Sequence, residues 1–245
     1  MARKKTAAKK TKKKQPQRGH LSEAILRVRR WFWRILFGLL AVIVLITLAY
    51  RFINPPITPY AFSESRRLGG IEREWVAMEE IAPVMARSAV AAEDANFCLH
   101  WGLDVTAIQE ALDQGGSRGA STISQQVVKN VYLWHGRSWV RKSMEAMWTP
   151  LMEALWTKRR ILEVYLNVAE FDEGVFGVQA ASRHYFGVDA VDLSPTQAAR
   201  LAALLPSPKT RSASNPSAAV RRRAASIADG AATILSDGRA DCFER

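Results

Sequence analysis

The stretch ILFGLLAVIVLITLAY, Ile35 to Tyr50, is 16 uncharged and mostly apolar residues in a row, and it limits what this chain can become more than any other feature. Trp31, Phe32 and Trp33 extend the run beyond Arg34, which brings it to the roughly 20 residues needed to cross a hydrocarbon core. Arg34 can reach the interface from the end of such a helix, and Trp31, Trp33 and Tyr50 stand where interfacial aromatics belong. A cleaved signal peptide would have a shorter apolar core and a small-x-small cleavage site; TLAYR supplies neither. The expectation is an uncleaved transmembrane helix over residues 31–51, with a signal peptide and a buried core helix as the competing readings.

The formal charge of +12 belongs to one end of the chain. Residues 1–34 hold 13 of the 35 Lys and Arg against a single acid, Glu23, and the remainder carries 22 bases and 22 acids. A Lys-rich segment without apolar residues cannot build a core, and positive charge before a membrane helix places residues 1–30 in the cytoplasm. Attraction to anionic headgroups is the simplest role for this tail, and no nucleic-acid partner is expected. Everything after Arg51 then lies outside.

Residues 52–70, with Pro55, Pro56, Pro59, Gly69 and Gly70, read as a linker. Residues 71–245 are enough for one well-packed domain. Helix signals recur along them: Pro83 in a first turn, Asp104 ahead of VTAIQEALDQ with a stop at Gly115 and Gly116, Ser194 with Pro195, and Asn215 with Pro216. Pro150 is expected to kink or break the helix around MWTPLMEALW. No stretch alternates long enough to predict a strand, so the domain is expected to be all-α. Cys98 and Cys242 are 144 positions apart and Cys242 lies near the end; with a frayed terminus expected there, both are read as free.

The candidate chemistry lies in four places. AVAAEDANFCLHWG, Ala89 to Gly102, puts Glu93 and Asp94 after an apolar run at what reads as a helix end, where the backbone dipole disfavours acids. Such a carboxylate is either a solvated helix end or a site residue whose pKa desolvation raises. Thr122, Gln126 and Lys129 fall on one helix face, flanked by Gln125 and Asn130, beside a turn at Gly119; an ordinary polar surface would look the same. Arg141 and Glu145 are spaced for an intrahelical ion pair of ~0.3–0.5 kcal/mol. His100 and His184 have no partner at metal-ligand spacing, so no metal site is expected. There is no G-x-S-x-G, S-x-x-K or K-T-G motif.

Taken in order, EDANFCLHWG, RGASTISQQVVKN, RKSMEAMW and KRRILEVYLNVAEF resemble the four signature blocks of the peptidoglycan glycosyltransferases, glycosyltransferase family 51. The resemblance covers roughly residues 70–205. Departures at Trp101, Leu103 and Ser124 remove no charged group. It implies a lysozyme-like helical domain in the periplasm, tethered to the inner membrane, which polymerises lipid II with inversion and releases undecaprenyl diphosphate. By block, it makes Glu93 the general base and Glu145 the second catalytic acid. Lys129 and Arg141 would bind the diphosphate, and Ser121, Thr122, Gln125, Gln126 and Asn130 would line the sugar cleft. Asp94, Phe97 and His100 would be structural residues near the site.

Lipid II, the growing strand and inner-membrane lipids are the implied partners, with the divisome or penicillin-binding proteins as protein partners. No cofactor is required, and the involvement of Mg or Mn at the diphosphate is left open. Two other readings remain: a lytic enzyme of lysozyme-like fold, which would not need Lys129 and Arg141, and a membrane-tethered protein that binds lipid or nucleic acid through its tail.

Overall fold

The computed structural model describes residues 18–113, 121–136 and 138–244. The stop expected at Gly115 and Gly116, the turn at Gly119 and most of the basic tail lie outside these residues. The chain forms two units, Met1–Ile46 and Thr47–Arg245.

The first unit contributes most of helix α1 (Arg18–Tyr50). Its stretch Glu23–Tyr50 is long and apolar enough to cross a membrane, and only 6% of its most apolar window is buried. A core helix of a soluble protein would be mostly covered. Here Trp31, Phe32, Ile35, Phe37 and Leu45 are exposed, which suits a lipid surrounding.

The second unit is mostly helical and has a lysozyme-like helical fold. It begins with the last turn of α1, where Trp148 Nε1 donates to Thr47 Oγ1 and Trp156 Nε1 to the Thr47 carbonyl. Within the segment read as a linker, α2 (Pro59–Leu68) forms a helix. Thr58 Oγ1 accepts from Ala61 N, and proline at the first helical position starts the turn without losing a hydrogen bond. The helices α3 (Pro83–Glu93), α4 (Val105–Asp113), α5 (Ile123–Tyr132), α6 (Trp139–Leu155) and α7 (Lys158–Val168) follow. After them come α8 (Val178–Phe186), α9 (Pro195–Leu204), α10 (Ala218–Ser236) and the short α11 (Asp241–Glu244).

A small sheet joins β1 (Glu72–Arg73), β2 (Glu170–Asp172) and β3 (Val175–Phe176) in the order β1-β3-β2. β1 runs parallel to β3, pairing Glu72 with Val175, and β2 runs antiparallel to it, pairing Glu170 with Phe176. Strands of two and three residues are too short to show alternation, which is why the sequence predicted none. Gly177, at φ 87°, ends the hairpin, and a Cβ there would lie 3.0 Å from the Asn167 carbonyl oxygen.

Small residues set the core. α3 buries Met85, Ala86, Ala89 and Val90, and α9 faces it with Ala198, Ala199, Ala202 and Ala203. α10 approaches so closely that a Cβ on Gly230 would meet Ala91 Cβ at 3.2 Å. α5 packs on α6 and α7, burying Ile123, Val127, Val128, Ile161, Leu162 and Tyr165. Asn167, fully buried, ties α7 to the segment before α3: its Oδ1 accepts from Val76 N, and its Nδ2 donates to the Val76 and Glu163 carbonyls.

Of the kink or break expected at Pro150, the break does not occur: α6 continues to Leu155. Proline leaves the Ala146 carbonyl without its helical donor, and α6 buries Thr149 and Met152 on either side of it. Cys98 and Cys242 are not free but joined in a disulfide, with their Cα atoms 5.8 Å apart. The C-terminus is docked rather than frayed: Phe243 is fully buried, Glu244 pairs with Arg87, and Arg159 donates to the Phe243 carbonyl.

Candidate active site

Glu93 is the last residue of α3, and Asp94 is its C-cap. The two adjacent acids have different surroundings. Asp94 Oδ1 accepts from His100 Nε2 at 2.8 Å, and Asp94 Oδ2 accepts from Ile123 N at 3.0 Å, at the positive end of α5. His100 Nδ1 in turn accepts from Gly102 N, so the ring proton is on Nε2 and is donated to Asp94. Phe97 is fully buried beneath this loop, with Lys158 Nζ 4.4 Å from its ring centre. Asp104 joins the group, accepting from Asn96 Nδ2. The ligand-type atoms of Asp94, His100 and Asp104 approach within 4.8 Å of one another, a cluster the sequence spacing did not reveal. The hydrogen bonds just named tie this cluster to the start of α5 and brace the loop.

Glu93 points elsewhere. Its Oε2 accepts from Gln126 Nε2 at 2.9 Å, and Arg223 Nη2 lies 3.7 Å from Oε1. Burial pushes its carboxyl pKa above the ordinary value; the Gln126 hydrogen bond and the charges of Arg223 and Lys129 oppose the shift, and Asp94 adds to it. A carboxylate in this state is suited to take a proton.

α5 starts with a capping box. Thr122 Oγ1 accepts from Gln125 N, and Gln125 Oε1 accepts from Thr122 N. The Thr122 hydroxyl also donates to the Gly102 carbonyl at 2.6 Å. Thr122 and Gln125, expected among the cleft residues, are thus buried and engaged in joining the helix start to the loop. Gln126, Lys129 and Asn130 do line a cavity of about 400 Å³, together with Tyr60, His135, Tyr165, Glu170 and Lys209.

Two groups in that cavity lack partners. Among the described residues, Lys129 makes no hydrogen bond or ion pair, and Asn130 Oδ1 is buried without a donor. Burial lowers the Lys129 pKa, Glu145 opposes that, and Arg141 and Lys142 reinforce it. Lys129 interacts electrostatically with both Glu93 and Glu145. A half-buried ammonium with no protein partner is open to an anion that would complete it.

Glu145 lies on α6. Its side chain is only 3% exposed; Oε2 accepts from Arg141 Nη1 at 2.6 Å, and Oε1 pairs with Lys142. Arg141 Nε also donates to the Gly136 carbonyl, and Lys142 Nζ donates to Ser121 Oγ. The predicted i,i+4 pair is therefore present, but buried and shared with a second cation. Lys142 was missed, although its i,i+3 spacing to Glu145 was readable. Arg223 was missed too, and nothing in VRRRAAS distinguishes it from its neighbours.

A desolvated carboxylate, a partnerless ammonium and an Arg-Lys-Glu cluster on a lysozyme-like helical scaffold are groups suited to glycan chemistry. The transglycosylase family profile matches residues 63–232, and the chain belongs to that family. It is 59% identical over 236 residues to the biosynthetic peptidoglycan transglycosylase of Jannaschia sp. (strain CCS1), covering 96% of this chain and 98% of that one. Its identity to the protein of the same description from Caulobacter vibrioides is 44%, covering 88% and 97%. With that of Xanthomonas campestris pv. campestris (strain B100) it is 49%, covering 82% and 86%.

Proposed function

We propose that this peptidoglycan glycosyltransferase extends glycan strands from lipid II by direct displacement, with Glu93 as the general base. The activity class is that of its family and relatives; the residue roles are our reading. The 4-hydroxyl of the acceptor sugar attacks the anomeric carbon of the donor and passes its proton to Glu93. The new C–O bond forms as the bond to the diphosphate breaks, and undecaprenyl diphosphate leaves with the electron pair. Displacement at an α-linked donor yields a β linkage.

The observation that carries this reading is the Lys129 ammonium, which has no partner among the described residues and is coupled electrostatically to both Glu93 and Glu145. Charge grows on the diphosphate oxygens as the bond breaks, and a fixed cation in a desolvated site stabilises that charge where it develops. Arg141 and Lys142 are within reach of the same group through Glu145, which holds them in place. No cofactor enters this scheme, since these three cations meet the leaving-group charge; EDTA added to the assay tests it. A hydrolase acting on finished glycan would have no use for them. α6 further exposes Trp139, Val140, Met144 and Met147 on the helix that carries Glu145, an apolar surface suited to a substrate whose lipid tail stays in the bilayer. With residues 1–30 cytoplasmic, the second unit lies in the periplasm, beside the strand it makes.

Reconstituted polymerisation of lipid II by the full chain tests the proposal. Glu93→Gln should retain its helical circular dichroism and lose about 10²–10⁴-fold in rate, the usual contribution of a general base. A Glu93→Gln protein polymerising at the unaltered rate would remove Glu93 from the mechanism, and release of fragments from purified cell wall would favour the lytic reading.

A further inference from the structure

Arg223 belongs to α10, outside the four sequence blocks, yet it is the only described arginine facing the proposed base. Its Nη2 donates to the Ala92 carbonyl at 3.3 Å. That carbonyl belongs to the last turn of α3, where helix carbonyls lack intrahelical donors. The same nitrogen lies 3.7 Å from Glu93 Oε1, inside ion-pair range and beyond hydrogen-bond range. Every other arginine–carboxylate pair among the described residues closes to 2.5–2.7 Å. Arg223 Nε is buried with no acceptor. A guanidinium recruited only for stability would close on the carboxylate and satisfy its donors; this one stops short.

We propose that Arg223 is the positioning residue of Glu93, near enough to hold the carboxylate charged and too far to occupy the Oε1 lone pairs that receive the acceptor proton. The inference rests on the reading of Glu93 as the base. Gln126 secures Oε2, Arg223 fixes the end of α3 through Ala92, and Oε1 is left as the open proton-accepting edge. Each element around Glu93 supplies a known influence. Lys129 and Gln126 come from α5, Arg223 from α10, the neighbouring Asp94 from the end of α3 itself, and buried Tyr165 from α7. The buried residues of α9 are all alanine and leucine. Of these groups, Lys129 faces the leaving-group anion in the proposed reaction, so its charge is spent when substrate is bound. Arg223 is the cation left to keep Glu93 unprotonated.

The test is the pH dependence of kcat/KM for lipid II polymerisation by the full chain. Arg223→Gln removes the charge and keeps a donor for Ala92; its acid limb should move up by about one pH unit, as an opposite charge within ~4–6 Å commonly does. Its rate should recover toward the unaltered protein above that limb. Arg223→Lys should restore the limb, and Arg223→Met serves as a second charge-removing variant should the glutamine protein unfold. A limb that stays in place in a folded Arg223→Gln or Arg223→Met protein overturns the inference, as does a uniform rate loss at every pH. Glu93→Gln, measured alongside, separates the two readings: an active Glu93→Gln enzyme removes the base itself. An inactive one with an unmoved limb in the Arg223 variants removes only the role of Arg223.

Discussion

Replacing Cys98 and Cys242 together by serine opens a loop of 144 residues without changing any charge. In the chain-entropy description, a cross-link over that length restrains the unfolded state by ~5 kcal/mol at 25 °C. Domains are commonly stable by only ~5–15 kcal/mol, so the disulfide holds a large share of the total. Native contacts of the terminus survive the substitution, because Phe243 stays buried and Glu244 keeps Arg87. The expected loss is therefore ~2–5 kcal/mol, the range measured for removing native disulfides. Cys98 also lies in the loop that carries Asp94, Phe97 and His100, so the brace behind Glu93 should loosen before the domain unfolds. The assay is denaturant unfolding of the full chain in detergent, followed by the fluorescence of Trp75, Trp148 and Trp156, with and without a reductant. The double serine variant should unfold at lower denaturant and ignore the reductant, while the unaltered chain should fall to the same midpoint once reduced. Coincident midpoints for oxidised, reduced and serine proteins, or two free thiols in the native protein by mass spectrometry, would refute the reasoning.

Arg141→Ala should lower turnover by more than tenfold, beyond the ~1 kcal/mol ceiling of an exposed pair; steady-state rates on lipid II decide, and an unchanged kcat would reduce the contact to an ordinary ion pair. Gly102→Ala forces φ 80° on a side chain whose Cβ would lie 2.5 Å from Thr149 Cγ2 and 3.0 Å from Glu153 Cγ. Its unfolding free energy should drop by ~2–4 kcal/mol, from overpacking and left-handed strain together. His135, stacked on Tyr60, has its pKa lowered to about 4 by burial and by the charges of Lys129 and Arg141. Its imidazole should titrate near that value by NMR. Between pH 6.5 and 4 the unfolded chain binds the extra proton, so His135 makes stability rise with pH across that window and level off below it. His135→Phe should flatten this slope.

Much of the architecture was written in local chemistry. Pro83 and Ser194 with Pro195 mark helix starts through first-turn chemistry, whatever the rest of the chain does; Thr122, read as part of a helix face, is instead the N-cap of α5. The apolar run of α1 and the i,i+4 alignment of Arg141 with Glu145 are legible for the same reason: both follow from helical geometry alone. The blocks around Glu93, Lys129 and Glu145 could be recognised as residues, but not as an arrangement. Proximity decided the rest. Gln126 reaches Glu93 across 33 positions and Arg223 across 130; Asp94 meets the start of α5 while Glu93 turns to Gln126; Cys242 returns to Cys98. The environment that sets a carboxylate's affinity for its proton comes from elements distant in sequence and within a few ångströms in space. Sequence therefore determined which groups this protein carries, and only its tertiary structure decided which of them are buried, which are paired, and which, like Lys129, have no partner among the described residues.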